Sequence, residues 1–264
     1  MQSTTTATKQ PARKPRAPAV RMTLEQVMRE LELAGSAQTR KTYLRHGCAE
    51  PLFGVSFATL KGLHKRIGVD HPLAVALWDT GNYDARNLAG KIADPAQFSP
   101  TDLSQWVAQD HQNFCSGYAA LIAAEGPHGI PLAEQWLGCT DTTVRCAGWV
   151  LFSQLAARDE TLPDPWFSGR LDLIARTIAS APNAERDAMN RAVIAIGGRN
   201  EALRQAATAA AGRIGKVHVD YGDTGCKTPD AAQYIEKTWV HAAAKGFESP
   251  AAQERSRDYP RQRC

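Results

Sequence analysis

The chain has 264 residues, 43% hydrophobic and 22% charged, enough apolar surface to fold and too much to remain a solvated coil. Its formal charge is +4, a mild excess whose distribution carries more information than its size. No apolar run approaches the ~20 residues that cross a bilayer and the N-terminus lacks the apolar core of a secretory signal, so a membrane protein is excluded and a cytoplasmic one expected.

From Met1 to Leu24 there is no acidic residue, while Lys9, Arg13, Lys14, Arg16 and Arg21 supply positive charge among Thr, Ala and Pro. Such a stretch buries too little to fold, so residues 1–22 are expected to be a disordered basic arm that leans on polyanions through counterion release. A solubilising tail and a transit peptide are the alternatives. Thr23 with Gln26 three residues on opens the first helix as a capping box, followed by Val27, Leu31 and Leu33. Leu60, Leu63 and Ile67 recur on one helix face, with Lys61 and Lys65 turned elsewhere. Ser99-Pro100-Thr101-Asp102 starts another helix, Ser99 as cap and Pro100 at the first position, where its missing N–H costs nothing. Val144, Ala147, Leu151 and Leu155 form the next clear face, then Leu171, Ile174 and Ile178. Thr228-Pro229-Asp230 repeats the Ser-Pro logic near the end. Breaks fall at Gly68 to Pro72, Asp94-Pro95, Gly126-Pro127, Leu162 to Pro165 and Ala181 to Asn183. Val217-His218-Val219 is the one strand-like run, too short to build a sheet. Ala147-Gly148, Ala195 and Gly197 inside helical patterns suit helices that approach closely.

About a dozen helices of roughly 10–18 residues joined by short loops define an all-α chain, either one bundle or a solenoid of helix pairs. Breaks at roughly 35–45-residue intervals favour HEAT-like pairs stacked into a curved superhelix. The division expected is the arm, a helical domain over 23–245 and a flexible basic tail over 246–264, where Arg255, Arg257, Arg261 and Arg263 cluster.

No nucleophile elbow, phosphate loop or dinucleotide fingerprint is present. Six cysteines contain no C-x-x-C pair and the histidines have neither zinc spacing nor triad order. Reduced thiols, no metal and no cofactor are expected. Cations recur instead. Arg40, Lys41, Arg45 and His46 give one helix a basic side, Lys61, His64, Lys65 and Arg66 another, and Arg86, Lys91, Arg145, Arg186, Arg191, Arg199, Arg213, Lys216 and Lys227 follow. A solenoid that brings one helix of each pair to its concave wall would set some of these beside a phosphate backbone.

Several segments, in order, carry a family resemblance. They are Arg45-His46-Gly47 with Glu50 to Val55 and Leu60-Lys61; Gly81-Asn82-Tyr83-Asp84-Ala85-Arg86 with Ile92 to Pro95; Arg145-Cys146-Ala147-Gly148-Trp149; and Lys216 to Asp220 with Gly225 to Pro229. Together they resemble the DNA alkylation repair family from about Thr23 to about Lys237. The resemblance implies a HEAT-like superhelix binding duplex DNA on a basic concave surface, in a monomer, with Lys61, Lys65, Arg86, Arg145, Arg191 and Lys227 as DNA-binding candidates. It also implies glycosylases that excise N3- and N7-alkylated purines without flipping the base into a deep pocket. There, tryptophans and an aspartate stabilise the cationic sugar.

At those catalytic positions this sequence departs from the family. The Trp and the Asp four residues on fall at Gln112 and Ser116, and the second tryptophan near Ala195. Another register sets Trp106 and Asp110 at the same i, i+4 spacing, making them the catalytic candidates. The leading expectation is a DNA-binding member with substituted catalytic positions. An active glycosylase using Trp106 and Asp110, and a helical-repeat protein scaffold, stay open beside it. Asp220 to Lys227, rich in Gly, Asp and Thr, is either a structured loop or a second site.

Overall fold

The computed structural model describes residues 21–110 and 115–263; most of the expected basic arm, and Gln112, lie outside them. The described chain is helical, with no strand. Its helices are α1 (Leu24–Ala34), α2 (Ala37–Arg45), α3 (Phe57–Ile67), α4 (His71–Asp79), α5 (Tyr83–Ile92), α6 (Pro100–Ala108), α7 (Ser116–Glu125), α8 (Gly129–Leu137), α9 (Thr142–Arg158), α10 (Asp164–Thr177), α11 (Asn183–Gly197), α12 (Glu201–Ile214), α13 (Ala231–Ala244) and α14 (Pro250–Arg255).

The helix starts follow local chemistry. Thr23 and Gln26 close a reciprocal capping box, and Ser99 does the same with Asp102 while Pro100 takes the first turn. Asp141, Asn200 and Asp230 each cap a later helix by accepting an N–H three residues on. The last of these corrects the Thr228 start. Thr228 Oγ1 accepts from the Val219 N–H, and the Pro229 carbonyl accepts from Asn190. Both are therefore held by the preceding loop, and the helix begins two residues later than Pro229.

Packing sorts the helices into two layers. In one, called the inner layer below, α3 lies on α5, α5 on α7, α7 on α9, α9 on α11 and α11 on α13; the other holds α4, α6, α8, α10 and α12, each against its pair-mate. This is the HEAT-like stack, and α9 is its central member. The first repeats are shorter than expected: 29 residues separate His71 from Pro100, and again Pro100 from Gly129. Small residues set the close approaches within the inner layer. A Cβ at Gly90 would lie 2.5 Å from the Tyr118 ring on α7, and one at Gly197 would lie 2.6 Å from Ile235 on α13. The core is continuous along the stack, with Trp78 and Trp106 stacked at 4.0 Å and 3° between α4 and α6.

The C-terminal segment is not a flexible tail. Residues 246–263 pack back along the stack through α14 and a final 3₁₀ turn. The charges that suggested solvation are what anchor it. Arg261 is buried against Glu125 and the carbonyls of Gly90, Lys91 and Ala93. Lys91, also buried, donates to the carbonyls of Arg261 and Arg263. Arg158 reaches the carbonyls of Glu254, Arg257 and Asp258 and covers the Tyr259 ring.

Candidate nucleic-acid interface

Five of the six candidate cations lie on inner-layer helices, Lys61 and Lys65 on α3, Arg86 on α5, Arg145 on α9 and Arg191 on α11, while Lys227 lies on the loop between α12 and α13. Lys61 and Lys65 sit on α3, Lys65 exposed and Lys61 half-buried, and neither enters an ion pair among the described residues. Arg86 on α5 lies across the Trp78 ring at 5.0 Å and donates to the carbonyls of Trp78 and Gln109. It braces α4, α5 and the end of α6.

Trp106 and Asp110 have neighbours that account for them structurally. Trp106 is buried between Trp78 and Phe98. Asp110 is buried, and its Oδ2 accepts the N–H groups of Cys115 and Ser116 at the start of α7, where a carboxylate also meets the positive end of the helix dipole. Ser116, one of the two positions where the family's catalytic pair aligns, is buried by the same contact. Ala195 lies half-buried on α11.

Arg145 on α9 is held on every side of its guanidinium. Its Nε and one terminal nitrogen grip the Glu185 carboxylate at 2.8 and 2.7 Å, and the other donates to the carbonyls of Thr140 and Cys139. Glu185 is buried and also accepts from the Trp149 indole. A bidentate guanidinium–carboxylate pair of this kind is directional and strong. It clamps the start of α9 to the start of α11. Glu185 was missed in the sequence because an acid on the first turn of a helix reads as a dipole partner, and nothing in one chain points it at an arginine 40 residues away.

Two residues further along α11, Asp187 forms a second cluster. Its Oδ2 accepts from Arg191 Nε and its Oδ1 from the Tyr221 hydroxyl, both at 2.8 Å. Burial, then that hydrogen bond, push the Tyr221 hydroxyl above its ordinary value of 10.0, so it remains a donor at neutral pH. Tyr221 belongs to the Asp220–Lys227 segment, which is a structured loop: Asn183 and Asp220 exchange hydrogen bonds and Arg186 holds the His218 carbonyl. Loop, α9 and α11 enclose a cavity of 510 Å³ that His46, at the end of α2, also lines. One of the six candidate cations, Arg191, lines it, and Arg145 precedes the lining residue Cys146 on α9. Exposed Lys227 follows Cys226 in the loop. Burial pushes the Cys146 thiol up to about 12, which makes it a poor nucleophile. Among the described residues no His, Cys, Asp or Glu cluster is arranged to hold a metal, and no helix is long and apolar enough to cross a membrane.

The family described as DNA alkylation repair enzyme matches residues 27–235, nearly the whole helical stack. The chain belongs to this family. Among its relatives are two uncharacterized Listeria proteins. Lin0241 of Listeria innocua is 28% identical over 223 residues, 82% of this chain and 97% of the relative. Lmo0209 of Listeria monocytogenes is 27% identical with the same coverage. A solved structure aligns with a TM-score of 0.78 at 29% identity, over 87% of this chain and 98% of the other. It is described as representing a new family of proteins related to the HEAT-like repeat DNA glycosylases with affinity for branched DNA structures.

Proposed function

We propose that this protein is a DNA-binding member of the family that holds branched or otherwise distorted duplex DNA against the inner layer of its helical stack, acting as a monomer in the cytoplasm, without excising a base. The observation that carries this reading is the alignment over 98% of a structure whose family has affinity for branched DNA. The burial of Trp106 and Asp110 supports the second half, because a carboxylate stabilises a sugar cation only if the sugar reaches it. Lys61, Lys65, Arg86, Arg191 and Lys227 are proposed as phosphate contacts, and Arg145 as the clamp that holds the α9–α11 wall beside them.

Fluorescence anisotropy with a four-way junction, a fork and a linear duplex of matched sequence tests the first half. The branched DNAs are expected to bind more tightly, with affinity falling steeply as salt rises. The Lys61→Glu, Lys65→Glu double variant is expected to weaken all three by roughly tenfold or more at low salt; unchanged affinity would remove α3 from the surface. Incubation with methylated duplex, scored by mass spectrometry, tests the second half. No 7-methylguanine or 3-methyladenine is expected. Release by the native chain, lost in a folded Asp110→Asn variant, would establish the glycosylase reading instead.

A further inference from the structure

The cavity between α9, α11 and the Asp220–Lys227 loop has a composition that the family resemblance does not predict. Its volume of 510 Å³ lies within the roughly 300–1,000 Å³ of clefts that take small organic groups. Its polar groups converge from three parts of the chain: Asp187 and Arg191 on α11, Tyr221 on the loop, and His46 at the end of α2. Val150, Ala184 and Ala188 supply apolar wall.

The wiring of the polar groups selects a ligand class. Asp187 already accepts one hydrogen bond on each oxygen, from Tyr221 and Arg191. An ionised carboxylate retains further lone pairs and offers no donor, so whatever it binds must present N–H or O–H. The Arg191 side chain is still 61% exposed, leaving its guanidinium open to an anion. The Tyr221 ring, fixed by the hydroxyl's bond to Asp187, offers a flat face. A donor edge, a planar face and an anion together describe a nucleotide. Every base carries at least one N–H on its pairing edge, and pairing engages the one that points at the partner base. An acceptor-only carboxylate in this position reads whether a base is paired, not which base it is.

We propose that this cavity receives one unpaired nucleotide of the bound DNA, its base against Tyr221 with the pairing edge on Asp187 and its phosphate against Arg191. The proposal rests on the DNA-binding reading above and supplies its preference for branches. At a branch point a base is already unstacked, so drawing it into a pocket costs less there than from a continuous duplex. Stacking on an aromatic side chain then adds affinity without regard to sequence.

The test uses the full chain and a fork with 2-aminopurine at the branch point, beside the same probe in the middle of a linear duplex. Binding is expected to change the fluorescence of the branch probe and leave the duplex probe unaltered. Tyr221→Ala is expected to weaken fork binding by roughly 5- to 150-fold, the range that loss of one base–aromatic stack gives. Tyr221→Phe is expected to retain most of the binding, and linear duplex affinity to hold in both variants. Ala184→Trp, an exposed position lining the cavity, fills the space without touching the core and is expected to abolish the probe signal. If Tyr221→Ala and Ala184→Trp both bind the fork as the native chain does, with the same signal, the pocket is overturned while the DNA-binding reading stands. If the native chain binds neither fork nor duplex, the DNA-binding reading fails and the pocket with it.

Discussion

Replacing Asp84 by alanine is expected to destabilise the protein by at least about 3 kcal/mol, since three backbone N–H groups lose their acceptor and each such loss costs about 1–3 kcal/mol. Asp84 is fully buried at the start of α5. Its carboxylate takes the N–H groups of Phe53, Gly54 and Val55 at 2.6, 3.0 and 2.9 Å. Those residues form the extended segment between α2 and α3. It has no room to rearrange around Gly54, whose φ is +80° and where a Cβ would stand 2.4 Å from the Arg40 nitrogen. Water therefore has no ready path to the orphaned groups. A thermal melt should show the loss directly, at roughly 2–4 °C per kcal/mol for a chain of this size. Asp84→Asn should recover part of it, because the amide keeps one acceptor oxygen. A shift under about 3 °C in Asp84→Ala would mean that the segment is hydrated or reorganises.

Arg261→Met is the second large effect, at about 3–5 kcal/mol, the usual cost of breaking a buried ion pair from one side. The Arg261 and Glu125 side chains are 3% and 5% exposed and pair at 2.7 Å. The same guanidinium covers the carbonyls of Gly90, Lys91 and Ala93 at the C-terminal end of α5, groups that a helix cannot satisfy internally. Burial raises the Glu125 carboxyl above its ordinary value of 4.5, against the lowering influence of Arg261. The sign follows from proton uptake. A raised folded-state value means that the native state holds the proton more firmly than the unfolded state, so this group's contribution is fully present below 4.5 and is lost as pH rises through the folded-state value. Removing Arg261 removes a lowering influence, which raises the folded-state value further and widens that window. The melting-temperature gap between native and Arg261→Met chains should therefore be smaller at pH 5 than at pH 8. A gap independent of pH would mean that Glu125 escapes to solvent when its partner is gone.

Both predictions concern residues that the sequence presented differently. Asp84 stood in a segment carrying the family resemblance, yet its acceptor role depends on a segment 30 residues earlier. Arg261 stood in a run of arginines resembling a solvated tail. Composition there is the same whether the charges face water or a buried carboxylate, so only the meeting of the chain end with α5 and α7 distinguishes the two. Trp106 and Asp110 follow the same rule. Trp106 ends up against Trp78, while Asp110 lies past the end of α6 and caps the start of α7; neither environment can be read from their i, i+4 spacing.

The all-helical class and several helix starts were legible in the chain, because these rest on contacts within a few residues: Thr23 with Gln26, Ser99 with Asp102, and the recurrence of Leu60, Leu63 and Ile67 on one face. Tertiary structure alone decided which charges are spent inside the fold. Arg145 met Glu185, Arg261 met Glu125, and Asp187 met Tyr221 across 34 to 136 residues. Such pairings follow from where helices land after they stack, and a side chain's charge carries no record of the partner that will neutralise it.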